Sequence, residues 1–265
     1  MWNQMTQRLG ALVGEIQGMP EFSQSMTKVR RCTESVAALA VPLQKLANDV
    51  HAHAARTRET LAGAQLEIAR WSAASPSRLR EMATHIVTDA RRVQADASAQ
   101  SDVVARNRTE VGAAAGELVA AASEARGRLK VLEQRRHDLQ QKATELRNRS
   151  AYTWLFLPAK AIDELVALFQ HGKSTEAALE DALRDIDQAQ ADASRNIRAG
   201  DLAASQVALM EQMALRLQGV VNQLGLVDAH LSGEQNLARF DNPATAKVMV
   251  AALLQVVRML DAEMA

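Results

Sequence analysis

Residues 90–146, ARRVQADASAQSDVVARNRTEVGAAAGELVAAASEARGRLKVLEQRRHDLQQKATEL, decide the fold. Every seventh residue along this stretch is apolar: Ala90, Ala97, Val104, Val111, Leu118, Ala125, Leu132, Leu139 and Leu146. A sustained period of seven keeps one apolar seam turned toward a partner helix, so the stretch predicts a long coiled-coil-like helix. Several seam positions are Ala, most densely between Gly112 and Ala122, where small side chains let helices approach closely.

Outward from this seam the same pattern recurs on both sides. Val29, Val36, Leu43, Val50, Thr57, Ala64 and Trp71 form an earlier seam, flanked by Cys32, Leu39 and Leu46. Pro42 falls inside it and should kink or break the helix nearby, because proline lacks the amide N–H and crowds the preceding turn. A third, less regular seam runs through Leu179, Ile186, Ala193, Val207, Ala214 and Val221, with Gly200 and Asp201 read as a break. The prolines are Pro20, Pro42, Pro76, Pro158 and Pro243, so residues 77–157 and 159–242 hold none. A continuous helix over the first of these stretches would be about 120 Å long. Ser75 before Pro76 and Asn242 before Pro243 read as N-caps with proline at the first helical position. Gly172, Ser174 and Glu176 read as one helix stopping and another starting, and Ser232 with Gly233 as a further stop.

Composition agrees with a helical reading and removes other classes. Of 265 residues 48% are hydrophobic but only 3% aromatic, so the apolar share rests on Ala, Leu, Val and Met. An all-β or conventional α/β core is disfavoured by that choice. Thirty-one basic residues balance 31 acidic ones, which argues against nucleic acid as a partner. The lone Cys32 cannot form an internal disulfide. Met1–Leu9 has no basic region followed by an apolar one, so no cleavable secretion signal is read, and no stretch of about 18 uncharged apolar residues predicts a constitutive membrane span.

The expected fold class is all-α: an elongated antiparallel bundle of long coiled-coil-like helices with a short apolar hairpin at one end. Residues 1–150 are assigned to an N-terminal amphipathic helix and ascending arms, 151–172 to the hairpin, and 173–265 to the descending arm and a C-terminal packing helix, in one structural domain. Charge supports pairing of the arms. Residues 126–149 carry eight basic side chains (Arg126, Arg128, Lys130, Arg135, Arg136, Lys142, Arg147, Arg149) against Glu133, Asp138 and Glu145. Residues 173–196 carry Glu176, Glu180, Asp181, Asp185, Asp187 and Asp192 against Lys173, Arg184 and Arg195. Folding back near residue 160 sets these blocks side by side, each pair contributing a few tenths of a kcal/mol; the alternative is two independently solvated faces.

No constellation points to catalysis. His51 and His53 are two residues apart and diverge by about 200° on a helix, so they cannot chelate one metal. His85, His137, His171 and His230 are isolated, and no phosphate loop, nucleophile elbow or paired-cysteine motif occurs. Cys32, beside an apolar seam, reads as a buried small hydrophobe. The chain is therefore read as non-enzymatic, with no catalytic residue, metal, cofactor or small-molecule substrate.

One segment stands apart. Residues 151–170, AYTWLFLPAKAIDELVALFQ, hold four of the eight aromatic residues: Tyr152, Trp154, Phe156 and Phe169. A turn between two long arms is normally polar because it has the least opportunity for burial. Here it is strongly apolar, and Leu155, Leu157, Ile162, Leu165, Val166 and Leu168 add to the rings. Its second half is amphipathic, with Ile162, Leu165, Val166 and Phe169 on one face and Lys160, Asp163 and Glu164 on another. Tyr and Trp suit a membrane interface, where the ring meets acyl chains and the polar atom meets water. Residues 151–159 are too few to span a bilayer, so the whole segment would insert as a hairpin or lie in the interface. The competing reading is a cap, with the aromatics folded against the bundle end. Two other apolar elements read as bundle core ahead of membrane contact. They are the stripe Trp2, Met5, Leu9, Leu12, Val13, Ile16 and Met19, and the run Val248–Leu260, with Met5, Met19, Met249, Met259 and Met264 suited to adaptable packing.

Long heptad-bearing arms around a short aromatic hairpin resemble the α-helical pore-forming toxins of the cytolysin A type, and in plan the binary xenorhabdolysin-like toxins and related multi-component cytolysins. The resemblance rests on the plan of residues 23–232, with Ala151–Phe169 in the place of the family's hydrophobic tongue. It implies a subunit secreted without a cleavable signal, soluble at first. Its tip (Tyr152, Trp154, Leu155, Phe156, Leu157, Ile162, Leu165, Val166, Leu168 and Phe169) would enter a target lipid membrane as the protein forms a homo-oligomer with a second toxin subunit. The alternative is a non-enzymatic coiled-coil scaffold or adaptor whose apolar tip docks a protein partner. A chemoreceptor-like signalling hairpin fits less well, since its tip would be polar and its heptads more regular.

Overall fold

The computed structural model describes residues 2–148 and 175–264. Among them are α1 Trp2–Gly18, α2 Gln24–Ala37, α3 Ala40–Ala69, α4 Ser75–Asn148 and α5 Thr175–Leu231. The short α6 Glu234–Leu237 continues into a 3-10 turn, Ala238–Asp241, and α7 spans Pro243–Met264. The all-α class expected from the periodicity holds, with no strand among the described residues. Gly172 and Ser174 lie outside those residues.

The helix ends follow from local chemistry. Ser23 caps α2, its hydroxyl accepting from the Met26 N–H at 3.1 Å. Ala38 and Leu39 separate α2 from α3, and Pro42 is the third residue of α3, in the first turn, where a backbone N–H has no helical acceptor. Asn242 caps α7 as expected, accepting from the Ala244 N–H at 2.8 Å, with Pro243 at the first helical position. Gly233, at φ +86°, carries the turn after α5, a conformation costly for a side chain with a Cβ.

Two expected boundaries are corrected. Ser75 is not the N-cap of α4: the Arg78 N–H donates to the Ala74 carbonyl, which makes Ala74 the cap and Ser75 the first helical residue. The Ser75 hydroxyl turns back into the preceding turn, accepting from the Ser72 N–H at 2.8 Å and donating to Glu67 Oε1 at 2.7 Å. Gly200 and Asp201 do not break a helix either, because α5 runs through them to Leu231.

The contacts cluster in two compact units, one of residues 1–114 with 203–265 and one of residues 115–202. In the first, α4 and α5 run antiparallel, as the pairs Arg91–Asp228 at 2.8 Å and Arg108–Glu211 at 3.7 Å show. Helix α3 lies antiparallel to α4, joined by Glu67–Arg78 and His53–Asp89. Helix α7 packs on α3, where Arg58 pairs with Asp261, and α1 packs on α2 and α3. The start of α1 meets the end of α7: Trp2 Nε1 donates to the Glu263 carbonyl at 3.2 Å, and Arg216 donates to the same oxygen at 2.8 Å. Both satisfy a C-terminal carbonyl that has no acceptor role within its own helix.

The core follows the seams with one shift of register. Ala90, Ala97, Val104 and Val111 of α4 are at most 1% exposed, and Val29, Val36, Leu43, Val50, Thr57 and Ala64 are buried with them. On α5 the buried row is Ala203, Gln206, Met210, Met213, Leu217, Val220, Leu224, Val227 and Leu231, alternating steps of three and four. The expected Val207, Ala214 and Val221 sit one residue later and are only half-buried. The observed row keeps steps of seven, through Ala203, Met210, Leu217, Leu224 and Leu231, so the expected seam is one residue out of register beyond Ala193, and Gln206 hid the true row by being polar. Cys32 is corrected as well. It is half-buried, because the core face of α2 passes through Met26, Val29, Thr33 and Val36 instead.

All seven residues of the N-terminal stripe are buried, so α1 is core. Helix α7 is the one described helix long and apolar enough to cross a membrane. Its apolar face, Ala246, Met249, Val250, Leu253, Val256, Val257, Leu260 and Met264, is buried within the bundle, while Val248 points outward. Of the five methionines read as packing residues, Met259 is half-buried and the others are buried.

Candidate functional site

The expected tip residues, Tyr152, Trp154, Leu155, Phe156, Leu157, Ile162, Leu165, Val166, Leu168 and Phe169, lie outside the described residues. The end of α4 and the start of α5, which lead into and out of the segment, belong to the second unit. Arg126 pairs with Asp201, and further along α4 Arg136 pairs with Asp187 at 3.4 Å and donates to Gln190 at 3.3 Å. Higher numbers on α4 thus meet lower numbers on α5, which makes the arms antiparallel. Carried on at one residue per residue, this register sets Asn148 opposite Thr175, so both arms reach segment 149–174 at the same level.

The arms have a core of small side chains. Ala115, Leu118, Ala122 and Ala125 of α4 and Ile186, Ala193 and Ala199 of α5 are buried. Leu132 and Leu139, next on the expected seam, are half-buried, and the side chain of Leu146 is outside the described set. Gly200 explains the closeness of the helices. A Cβ there would lie 2.6 Å from Ala122 Cβ and 3.0 Å from the Leu118 carbonyl oxygen, inside the distance that real carbons tolerate. This glycine marks a crossing, and its clue was visible: it occupies the seven-residue step after Ile186 and Ala193.

The complementary charge blocks meet across the arms at Arg136 and Asp187. Arg126 finds its acceptor in Asp201, beyond the acidic block. Arg128, Arg184 and Arg195 turn to Glu124, Asp181 and Asp192 on their own helices. Such exposed pairs contribute about 0–1 kcal/mol each, so they tune register and the Ala seam holds the arms together.

An open groove of about 350 Å³ lies along this arm pair, lined by Leu129, Glu133, Arg136, His137, Gln140, Gln190 and Ser194. Ser194 and His137 in this lining are engaged locally. Ser194 donates to the Gln190 carbonyl at 2.8 Å, and His137 Nε2 bonds the Gln141 amide at 3.0 Å. Among the described residues, no group of three His, Cys, Asp or Glu side chains converges as a metal site.

No family model and no curated protein matches the sequence. Solved structures do. The soluble AhlC of the tripartite α-pore-forming toxin AHL from Aeromonas hydrophila superposes over 100% of this chain and 97% of its own, with a TM-score of 0.70 and 17% identity. The fold is that of an α-pore-forming toxin subunit. The AhlC triple head mutant superposes over the same shares with a TM-score of 0.57 and 19% identity. At such identity a toxin-subunit fold transfers architecture and not residues.

One cluster went unread in the sequence: His53, Arg56, Asp89 and Arg92 come together between α3 and α4. Its signal was a histidine and an arginine one turn apart on one helix, facing an aspartate and an arginine spaced alike on the next.

Proposed function

We propose that this chain is a soluble subunit of a multi-component α-pore-forming toxin, and that residues 151–170 enter a target membrane during assembly with a second subunit and with further copies of the chain. The reading is carried by one conjunction. A soluble toxin component shares the fold over the full length of the chain, and two antiparallel arms lead into and out of an apolar segment that holds four of the chain's eight aromatic residues. The burial of the α1 stripe and of the apolar face of α7 supports the tip over either as the first membrane contact, since both already serve the core.

The mechanism needs no catalytic residue. Moving a Trp, Phe or Leu side chain from water into lipid contributes about 1.5–3 kcal/mol, so four to six anchors from Trp154, Leu155, Phe156, Leu157, Leu165 and Phe169 suffice to offset the loss of whatever covers them at rest. Tyr152 and Trp154 keep their polar atoms at the headgroups. Lys160, Asp163 and Glu164 are unfavourable in hydrocarbon and take the interface or a water-filled lumen.

Vesicle flotation and dye release test the proposal. Trp154→Asp with Phe156→Asp should abolish membrane binding by the chain, alone or mixed with the products of neighbouring genes, while the circular dichroism of the bundle stays helical. Binding and release unchanged by the double substitution remove the tip assignment. A wild-type chain that binds no membrane in any combination favours a scaffold or adaptor that docks protein through the same tip.

A further inference from the structure

His53 is 0% exposed, on the face of α3 that meets α4. Its Nδ1 lies 2.9 Å from Asp89 Oδ2 and its Nε2 lies 3.5 Å from the hydroxyl of Thr57, itself buried. The neutral tautomer that fits carries its proton on Nδ1, donating to Asp89, and leaves Nε2 as an acceptor facing Thr57. Asp89 is already crowded. Arg56 donates to Oδ2 through Nε at 3.2 Å and Nη2 at 2.7 Å, and Arg92 donates to Oδ1 at 3.0 Å. One carboxylate thus faces two guanidiniums before the imidazole is counted. A protonated His53 would bring a third cation to a single anion; Asp49 on α3 and Asp96 on α4 lie close enough to act on Arg92. On α7, Asp261 is engaged by Arg58. The new Nε2–H would have only the distant Thr57 oxygen to meet, in a place without water access.

We propose that His53 makes the α3–α4 seam of the first unit an acid-sensitive joint, in which protonation of the buried ring loosens α3 from α4. Burial pushes the imidazole below its ordinary value, and its hydrogen bond to Asp89 only partly opposes this. The sign follows. A ring that binds its proton less readily when packed than when open stabilises the packed seam above the ordinary histidine pKa, and that contribution is lost as pH falls through it. An opened seam returns His53 to a pKa of about 6.5, so acidification to pH 5 can favour opening by at most about 30-fold. The device belongs to the bundle alone and holds whether or not residues 151–170 enter a membrane.

Hydrogen–deuterium exchange of the full chain at pH 7.5 and pH 5.0, corrected for intrinsic rates, tests it. Peptides covering residues 47–60 and 83–97 should lose protection on acidification by up to about 30-fold relative to a peptide from α5 such as 213–224. His53→Gln should remove that difference, and His51→Gln, at an exposed ring two residues away, should keep it. Equal acid loss in His53→Gln and wild type, or none in wild type, overturns the proposal. Should His53→Gln fail to fold, NMR titration of the wild-type imidazole decides. A His53 ring that protonates in step with the loss of protection supports the joint, and one that titrates near 6.5 with the seam still protected refutes it.

Discussion

Gly200→Ala measures how tightly the two arms are pressed together. The added methyl carbon would sit 2.6 Å from Ala122 Cβ and 3.0 Å from the Leu118 carbonyl oxygen. Ordinary carbon contacts begin at about 3.5 Å, so the helices must separate by nearly 1 Å or bend. Both neighbours are backbone or Cβ atoms, which have no rotamer to yield. Overpacking of this kind costs about 1–3 kcal/mol, while exchanging a mid-helix glycine for alanine contributes about 1 kcal/mol in the other direction. The control is Gly127→Ala, on the facing arm, where a Cβ meets nothing within 4 Å and only the helix-propensity gain of about 1 kcal/mol should remain.

The quantity to measure is therefore the difference between the two variants, about 1–3 kcal/mol in urea unfolding followed by circular dichroism. Ala122→Gly in the Gly200→Ala background removes the shortest clash, and the pair should show coupling of about the same size after the cost of the second glycine is subtracted. If Gly200→Ala stabilises as much as Gly127→Ala, or if Ala122→Gly and Gly200→Ala combine additively, the arms are not in contact at this crossing and the reasoning fails.

Two further predictions concern the first unit. Gln206 is 0% exposed within the otherwise apolar α5 row, and its Nε2 has no partner among the described residues, although its Oε1 accepts from Thr33. Gln206→Leu should raise stability by about 1–3 kcal/mol, and a loss instead would mean that the amide is satisfied by a buried water. Asp89 is held well below the usual carboxylate range against an opposing desolvation penalty, by hydrogen bonds from Arg56, His53 and Arg92. Asp89→Asn should cost about 1–3 kcal/mol at pH 7, discounted for a side chain one-quarter exposed. A depressed carboxyl contributes fully above its ordinary pKa and loses that contribution as pH falls from there through its lowered folded value, so the gap to wild type should persist at pH 5, begin to narrow below about pH 4 and close only in stronger acid. A gap that closes between pH 7 and 6 would assign the effect to another group.

Much of this fold was legible because a seven-residue repeat is a statement about one face of a helix. Ala90 to Ala125 lie where the count placed them, and the α1 stripe is core as its spacing implied. The errors share one cause: a residue type was read for its local preference where tertiary contact decided. Gly200 has a breaker's propensity, yet two helices cross there and only a missing Cβ permits it. Ser75 has a cap's side chain, yet Glu67 and Ser72 offered its hydroxyl better partners behind it. Gln206 broke the apolar pattern because the pattern scores side chains one at a time, whereas Thr33 on another helix makes that position tolerable. The His53–Asp89 cluster is legible only once α3 and α4 are known to be neighbours.

The placement of the aromatic residues brings these observations to bear on the tip. Outside segment 151–170 the chain has four: Trp2 and Phe240 are buried and Phe22 and Trp71 half-buried, all at helix ends or turns of the first unit. None lies on the described arms of the second unit, and the Gly200 crossing shows why. Helices that leave 2.6 Å for a Cβ have no interior space for a ring. Nearer the segment Leu132 and Leu139 are only half-buried beside an open groove, so packing between the described arm helices does not by itself account for Tyr152, Trp154, Phe156 and Phe169. A second site of burial is needed to account for them, either a cap at rest or a surface met later. The paired Asp substitutions at Trp154 and Phe156 separate these physically: rings serving only a cap would cost stability when replaced and leave membrane binding intact, whereas rings that meet lipid would lose binding whatever happens to stability.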